Sequence, residues 1–217
     1  MTLSRAVFLL LCCTIAVSGV AADSVQLPGK VNWHPSFAAA SDAALDSGKP
    51  ILAFVYVESH PPSATLANEL MPRKTVIKNL QEFELLGVPY GDETHQDFLN
   101  RYQIKENIAT TDDGTGQVRL YPALPVMLYL DADGTEYLRD KGYTPAPADA
   151  KEHNEKLLKT AAAAFSARLA RTRQLITFLR RIADEPTAGA HADAGHLLLQ
   201  MNRYARARTH LQKAMSL

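Results

Sequence analysis

Cysteine is almost absent from this chain of 217 residues, which contains two, Cys12 and Cys13, side by side near its start. Residues 14–217 therefore carry no thiol. Disulfide exchange needs a thiolate as its nucleophile, and a structural disulfide needs two cysteines. If the first stretch of the chain is removed, the remainder has no thiol chemistry of its own and is held together by packing alone.

The chain also lacks an excess of charge of either sign, with 23 basic and 23 acidic residues. Binding to nucleic acid or to an anionic membrane surface is driven by positive charge, so we predict no nucleic-acid partner. The hydrophobic fraction of 47% is sufficient for one good core and a small appendage.

Long apolar runs are missing except at the start of the chain. Arg5 precedes an apolar run over residues 6–17, and small residues follow up to Ala22. This pattern predicts a secretory signal peptide over 1–22 and export to the periplasm or the cell exterior, with an uncleaved anchor as the alternative. No later run is long enough to span a bilayer, so we expect no integral membrane segment after cleavage.

The remaining pattern predicts an α/β fold. Residues 51–57 form an unbroken apolar run that is typical of a strand buried on both faces, and Asp133-Gly134 predicts a hairpin turn. Predicted strands cover 51–57, 83–88, 126–130 and 135–139, and predicted helices cover 37–47, 64–71, 76–80 and 93–102. This order predicts a mixed sheet with helices on both faces.

Residues 105–117 interrupt the pattern because they show no apolar periodicity. We predict a mobile surface loop over this range.

Several motifs in this order resemble the thioredoxin-like family, particularly its exported bacterial members. The opening of the resemblance consists of Trp33, Phe37, Ala40, Ala44, Ser47-Gly48-Lys49-Pro50 and the strand over 51–57. Further on, Leu124-Pro125-Val126 resembles the cis-proline segment of that family, and residues 131–134 resemble its hairpin turn. The likeness covers 31–143 and implies a thioredoxin-like domain over 23–145.

The resemblance also locates a candidate site. Where the family carries a Cys-x-x-Cys motif at a helix N-terminus, this chain has His60-Pro61-Pro62-Ser63. A helix N-terminus disfavours an imidazolium, so His60 is expected to be neutral. The predicted binding face consists of Ser59, His60, Pro61, Pro62, Ser63, Leu124 and Pro125. The resemblance implies that backbone groups near Pro125 hold an extended peptide, whereas the plainer alternative is that Pro125 only shapes a turn.

Other chemistry for these residues is less well supported by the sequence. His60 and Ser63 would form a hydrolytic pair only with an acid such as Glu58 or Asp92 behind them, and a serine that caps the helix is the simpler interpretation. A metal site of His60 with His34 or His95 lacks the usual ligand spacing. We assign no catalytic residue, no metal ligand and no cofactor.

Residues 146–217 differ in kind, being rich in helix formers with apolar stripes at helical spacing. Within them, small and apolar residues resemble one tetratricopeptide repeat: Ala192, Gly195, Leu198, Tyr204, Ala207, Leu211 and Ala214. One repeat cannot bury its own face, so it is expected to dock on the core or to form an oligomer contact. We predict that His191, His196 and the arginines of this region lie on solvated helix faces, namely Arg180, Arg181, Arg203, Arg206 and Arg208.

Two classes of function follow. The favoured class is a non-catalytic thioredoxin-fold protein of the cell envelope or exterior that binds a protein or peptide segment, or assembles through its C-terminal helices. The alternative is an enzyme, either a redox protein that borrows a partner's thiol or a hydrolase that uses His60.

Overall fold

A computed structural model describes residues 24–104, 109–112, 118–121, 124–141 and 151–217 of the chain. The predicted signal peptide over 1–22 lies outside the described residues. Among the helices that are described, none is long and apolar enough to cross a membrane.

The secondary structure contains seven strands and seven α-helices within the described ranges. The strands are β1 Trp33–His34, β2 Ile51–Tyr56, β3 Glu84–Pro89, β4 Ala109–Asp112, β5 Val118–Tyr121, β6 Val126–Leu130 and β7 Glu136–Lys141. The helices are α1 Phe37–Ser47, α2 Pro61–Ala64, α3 Lys74–Leu80, α4 Gln96–Arg101, α5 Lys151–Asp184, α6 Ala188–Gln200 and α7 Tyr204–Ser216. A wide helical turn, Thr65–Leu70, continues α2, and a 3₁₀ turn, Glu93–His95, precedes α4.

The main sheet has five strands in the order β1-β3-β2-β6-β7. Strands β1, β3 and β2 run parallel, and β6 and β7 are antiparallel to their neighbours. The central strand β2 is buried throughout, as its unbroken apolar sequence predicts. The mixed sheet, its flanking helices and the C-terminal helices confirm the predicted fold class.

Helix α1 illustrates how local sequence sets an element. The Ser36 side chain accepts a hydrogen bond from the Ala39 N–H at its start, and Gly48 closes its end with φ of 68°. Glycine adopts this left-handed conformation without a steric penalty, which explains the position of the helix end. Ala40 and Ala44 are the buried residues of α1, so its small side chains allow close packing on the sheet.

Part of the range 105–117, for which we predict a mobile surface loop, forms a strand. Ala109–Asp112 forms β4, which pairs with β5 in a separate antiparallel sheet, with Thr110 opposite Leu120 and Thr111 opposite Arg119. The range has no apolar periodicity, but Thr110 and Thr111 are β-branched and favour a strand. Residues 105–108 and 113–117 lie outside the described part of the chain.

The two faces of the sheet bury separate hydrophobic clusters. Alternate residues of β2 contribute to each: Ile51 and Val55 pack with α1 and α4, whereas Leu52 and Phe54 face the opposite side. The cluster on the second face continues without interruption into the C-terminal helices, where it includes Phe165, Leu169, Ile176 and Leu198. The helical extension therefore shares its core with the sheet.

Helices α6 and α7 pack closely as a hairpin. A Cβ atom added at Gly195 would lie 2.7 Å from Leu211 Cγ, so this crossing requires a glycine. The close approach agrees with the small residues expected at the helix crossing, and the likeness to a tetratricopeptide repeat stays a prediction.

Candidate functional site

The loop after β2 leads directly into the helix N-terminus of the candidate site. The His60 N–H donates to the Val57 carbonyl at 3.1 Å, and His60 then occupies the position before the first turn of α2. Pro61 and Pro62 occupy the first two positions of the helix, where a backbone N–H would have no helical partner. The prolines thus define where the helix begins.

The second part of the candidate site precedes β6. The Leu124–Pro125 peptide bond is cis, as the family resemblance implies. Because Val55 near the end of β2 pairs with Val126 at the start of antiparallel β6, the 59–63 loop and Pro125 lie at the same end of the sheet. The structure therefore brings the two predicted segments to one end of the fold.

The candidate residues differ sharply in exposure. Ser59 and Pro61 are exposed, and His60 and Pro62 are half-buried. The remaining three are buried: Ser63 (0% exposed), Leu124 (3%) and Pro125. Only residues 59–62 present side chains that a partner can reach directly.

His60 and Ser63 form a polar contact with little nucleophilic potential. His60 Nδ1 lies 3.3 Å from Ser63 Oγ. Burial lowers the pKa of His60, which favours the neutral imidazole near neutral pH. Ser63 Oγ belongs to a fully buried side chain, so a substrate carbonyl has no direct access to it. The geometry gives no support to a hydrolase.

The other histidines considered as metal ligands lie in different surroundings. His34 lies on β1, and its Nε2 is 2.8 Å from Glu84 Oε2. Strand β3 separates β1 from β2, which leads to His60. His95 is buried in the 3₁₀ turn before α4. In the part of the chain that the structure describes, no group of three or more histidine, cysteine, aspartate or glutamate residues is arranged to hold a metal ion.

The structure reveals a charged cluster that the sequence analysis missed, centred on Asp140 of β7. Asp140 is 6% exposed, and its carboxylate accepts hydrogen bonds from Arg168 Nε at 2.5 Å and Arg203 Nη2 at 2.7 Å. The buried Tyr129 hydroxyl donates to Asp140 at 3.4 Å. The hydrogen bond to Asp140 raises the pKa of Arg168, so the guanidinium stays charged. Helix α5 and the residue that precedes α7 are thus held on one buried carboxylate.

Arg206 of α7 and Arg203, the residue before α7, also cover the edge of the main sheet. Arg203 Nη2 donates to the Arg139 carbonyl at 2.9 Å, and Arg206 Nη1 donates to the Tyr137 carbonyl at 2.5 Å. Both carbonyls belong to β7, whose backbone pairs with β6 on one side only. Unpaired edge groups invite pairing with another chain, and these guanidinium groups occupy them instead.

The predicted solvation of the C-terminal arginines is therefore wrong for Arg180 and Arg203, which are half-buried, whereas Arg206 is exposed as predicted although it also contacts β7. Arg180 donates to the Gly48 carbonyl at 2.7 Å and to Asp131 Oδ1 at 2.6 Å, and Arg203 and Arg206 contact β7. Their partners lie more than forty positions away in the sequence. The spacing of residues along a helix does not predict such contacts, because each contact depends on how the C-terminal helices dock on the sheet.

His191 is a further correction, since it was predicted to be solvated and is 8% exposed. Its Nδ1 lies 3.0 Å from His210 Nδ1 across the α6–α7 hairpin. Burial lowers the pKa of His210, and the neighbouring His191 and Arg206 lower it further. His196, in contrast, is exposed as predicted.

A cleft of about 860 Å³ lies between the β6–β7 strands, α5 and the turn that joins α6 to α7. Apolar side chains that line it include Leu66, Met127, Phe165 and Met201. Basic side chains that line it are Arg139, Lys141, Arg168, Arg171 and Arg203. The cleft could not be identified from sequence because its walls come from segments far apart in the chain.

Comparison with known proteins gives a likeness of fold. No family model matches the chain, and no curated protein matches it in sequence. The chain is similar to a thioredoxin from Thermus thermophilus, with 16% identity over 64% of this chain and 92% of that one and a TM-score of 0.40. It is also similar to a DsbH oxidoreductase, with 16% identity over 64% and 87% of the two chains and a TM-score of 0.38.

A third similar structure is the oxidised C-terminal domain of DsbD from Neisseria meningitidis, with 18% identity over 60% of this chain and 97% of that one and a TM-score of 0.36. These structural neighbours are thioredoxin-like, and some are redox proteins. Likeness at this level carries no assignment of activity to the present chain.

Proposed function

We propose that this protein is an exported, non-catalytic thioredoxin-fold protein that binds a protein or peptide segment through the loop at residues 59–62. It does not carry out autonomous dithiol–disulfide exchange. Export rests on the signal pattern of residues 1–22.

The chemistry at positions 60 and 63 carries this proposal. Residues 14–217 contain no cysteine, so no thiolate can attack a disulfide there. Ser63 is fully buried, which removes the remaining side-chain nucleophile of the motif from contact with a substrate. The fold of the site is kept while the groups that react are absent.

The local geometry supports binding at the loop rather than at a sheet edge. Two consecutive prolines restrict the loop before a partner arrives, and a preorganised surface loses less conformational entropy on binding. The edge strand β7 has carbonyls that are already bonded by Arg203 and Arg206. The opposite edge strand, β1, is only two residues long. Addition of a partner strand to either edge is therefore disfavoured.

The chemical half of the proposal predicts that the protein does not accelerate the reduction of insulin by dithiothreitol. The measurement is insulin turbidity with the full chain, beside a Cys12→Ser/Cys13→Ser variant that removes every thiol. We expect both proteins to match the rate without protein. Acceleration that persists in the thiol-free variant would overturn the proposal, because it would require chemistry at other residues.

The binding half predicts partner contacts at Pro61. A photo-crosslinking residue placed at Pro61 is expected to form discrete adducts with exported proteins. The matched control is the same residue at Leu45, which is 69% exposed on α1. Adducts specific to position 61 support the proposed face, and identical adducts from both positions, or none from position 61, contradict it.

A further inference from the structure

The cleft between β7, α5 and the α6–α7 turn carries an uneven distribution of charge. Five basic side chains line it, and Asp140 is the acidic residue among its described lining residues. Arg168 and Arg203 both bind Asp140, and Arg139 pairs with Glu136. Lys141 and Arg171 make no hydrogen bond or ion pair with a described residue and are exposed. The described lining residues therefore keep a net positive charge after their ion pairs are made.

The paired arginines also retain donors for a ligand. Bonds of Arg168 to described residues use Nε and Nη2, and those of Arg203 use Nη2. Among the described residues, none bonds Nη1 of either guanidinium, while Asp140 holds both side chains in place. Arginine groups fixed in this way bind carboxylates with little loss of side-chain entropy.

The cleft is amphipathic and much larger than one small anion. Ala161 and Ala164 present apolar side chains beside the basic groups, and Leu66, Met127, Phe165 and Met201, each at most 8% exposed, form the floor of the cleft. Its volume of about 860 Å³ falls in the range of sites that enclose organic ligands. A single phosphate or acetate would leave this apolar surface in contact with water. The complementary ligand carries both apolar and anionic groups.

We propose that the cleft binds an acidic peptide segment whose apolar side chains pack on Ala161 and Ala164 and on the accessible edge of Phe165, while its carboxylates contact Lys141, Arg168, Arg171 and Arg203. This site is distinct from the 59–62 loop and goes beyond the function proposed there. Its ligand is recognised by charge and apolar contact together, which explains why the cleft combines both kinds of side chain.

The test is direct binding of fluorescein-labelled acidic peptides to the purified full chain, measured by anisotropy. The peptide Glu-Phe-Glu-Leu-Glu is expected to bind saturably, and Gln-Phe-Gln-Leu-Gln and Glu-Ala-Glu-Ala-Glu are each expected to bind at least about tenfold more weakly, equivalent to about 1.4 kcal/mol. High salt should lower the affinity of the first peptide, since salt screens the interaction between exposed charges. Failure of the first peptide to bind, or equal binding of all three, would overturn the inference.

Two double variants of equal charge change locate the site. Lys141→Gln/Arg171→Gln alters the cleft without touching Asp140 or its partners, and we expect it to weaken the acidic peptide at least about tenfold. Lys78→Gln/Lys156→Gln removes exposed lysines outside the cleft and should change the affinity less than about twofold. Equal losses of peptide affinity in the two variants would show that the effect of charge is not local, and would overturn the assignment of the peptide to this cleft.

Competing ligands and a loop variant complete the test. Inorganic phosphate or dodecanoate that displaces the peptide and binds more tightly would identify a simple anion or fatty-acid site and overturn the peptide assignment. Pro61→Glu would repel an acidic peptide bound at the loop, and it should leave the affinity unchanged if the peptide binds in the cleft. Loss of the peptide in Pro61→Glu but not in the cleft variant would overturn this inference while leaving the loop proposal intact.

Discussion

Asp140→Ala is expected to lower the free energy of unfolding by about 1.5–3 kcal/mol, the net contribution of hydrogen bonds to a charged group, since the two arginines left behind are partly solvated. Asp140 is 6% exposed and accepts hydrogen bonds from Arg168 and Arg203. Removal of the carboxylate leaves two guanidinium groups facing each other without a counter-charge. It also removes the group of the edge strand that binds Arg168 of α5 and Arg203, the residue before α7.

Urea denaturation measures this effect, with Asp193→Ala as the matched control. Asp193 pairs with Arg181 at 2.8 Å, and the two side chains are each 50% exposed. Solvent screens such a pair, so the control should lose no more than about 1 kcal/mol. Equal losses in the two variants would contradict the role assigned to Asp140. Faster proteolysis of α5–α7 in Asp140→Ala should accompany its loss of stability.

Leu169→Ala in α5 is expected to cost about 3–5 kcal/mol, and Leu52→Ala in β2 a similar amount. Both side chains are 0% exposed and belong to the same hydrophobic cluster. The cavity left by either substitution therefore lies in a core that the sheet and the helical extension share. We expect each variant to shift one common unfolding transition rather than the transition of a separate domain.

Two optical signals test this cooperativity. Trp33 is the single tryptophan, and its ring lies 6.5 Å from that of Phe54, so its fluorescence reports on the sheet. Far-ultraviolet circular dichroism reports mainly on the helices, of which α5, α6 and α7 are the longest described. The two curves should coincide in the wild type and in both variants. A helical transition that moves by itself in Leu169→Ala would show independent unfolding of the extension.

The sequence predicts those elements whose signals are local. Residues 51–57 predict β2 because a short, continuous apolar run has to be buried on both faces, and Gly48 marks the end of α1 because it accepts a left-handed conformation. Asp133-Gly134 predicts the β6–β7 hairpin for a similar reason. The β4–β5 pair was missed, since four-residue strands carry too little periodic signal.

The candidate site was only partly predictable. The positions of His60, Pro61 and Pro62 at a helix N-terminus follow from the order of strand, prolines and helix. The burial of Ser63 and Pro125 could not be predicted from the sequence, because serine and proline are ordinarily exposed. These two residues are buried only because distant segments pack against them.

The sequence by itself excluded thiol chemistry from residues 14–217, because a segment without cysteine cannot supply a thiolate in any fold. The tertiary structure decided the roles of Arg168, Arg180 and Arg203, whose partners Asp140 and Asp131 lie 28 to 63 positions away. An arginine on a helix has the same local pattern whether it faces water or a buried carboxylate. Only the docking of the helices on the sheet brings the opposite charges together and creates the cleft between them.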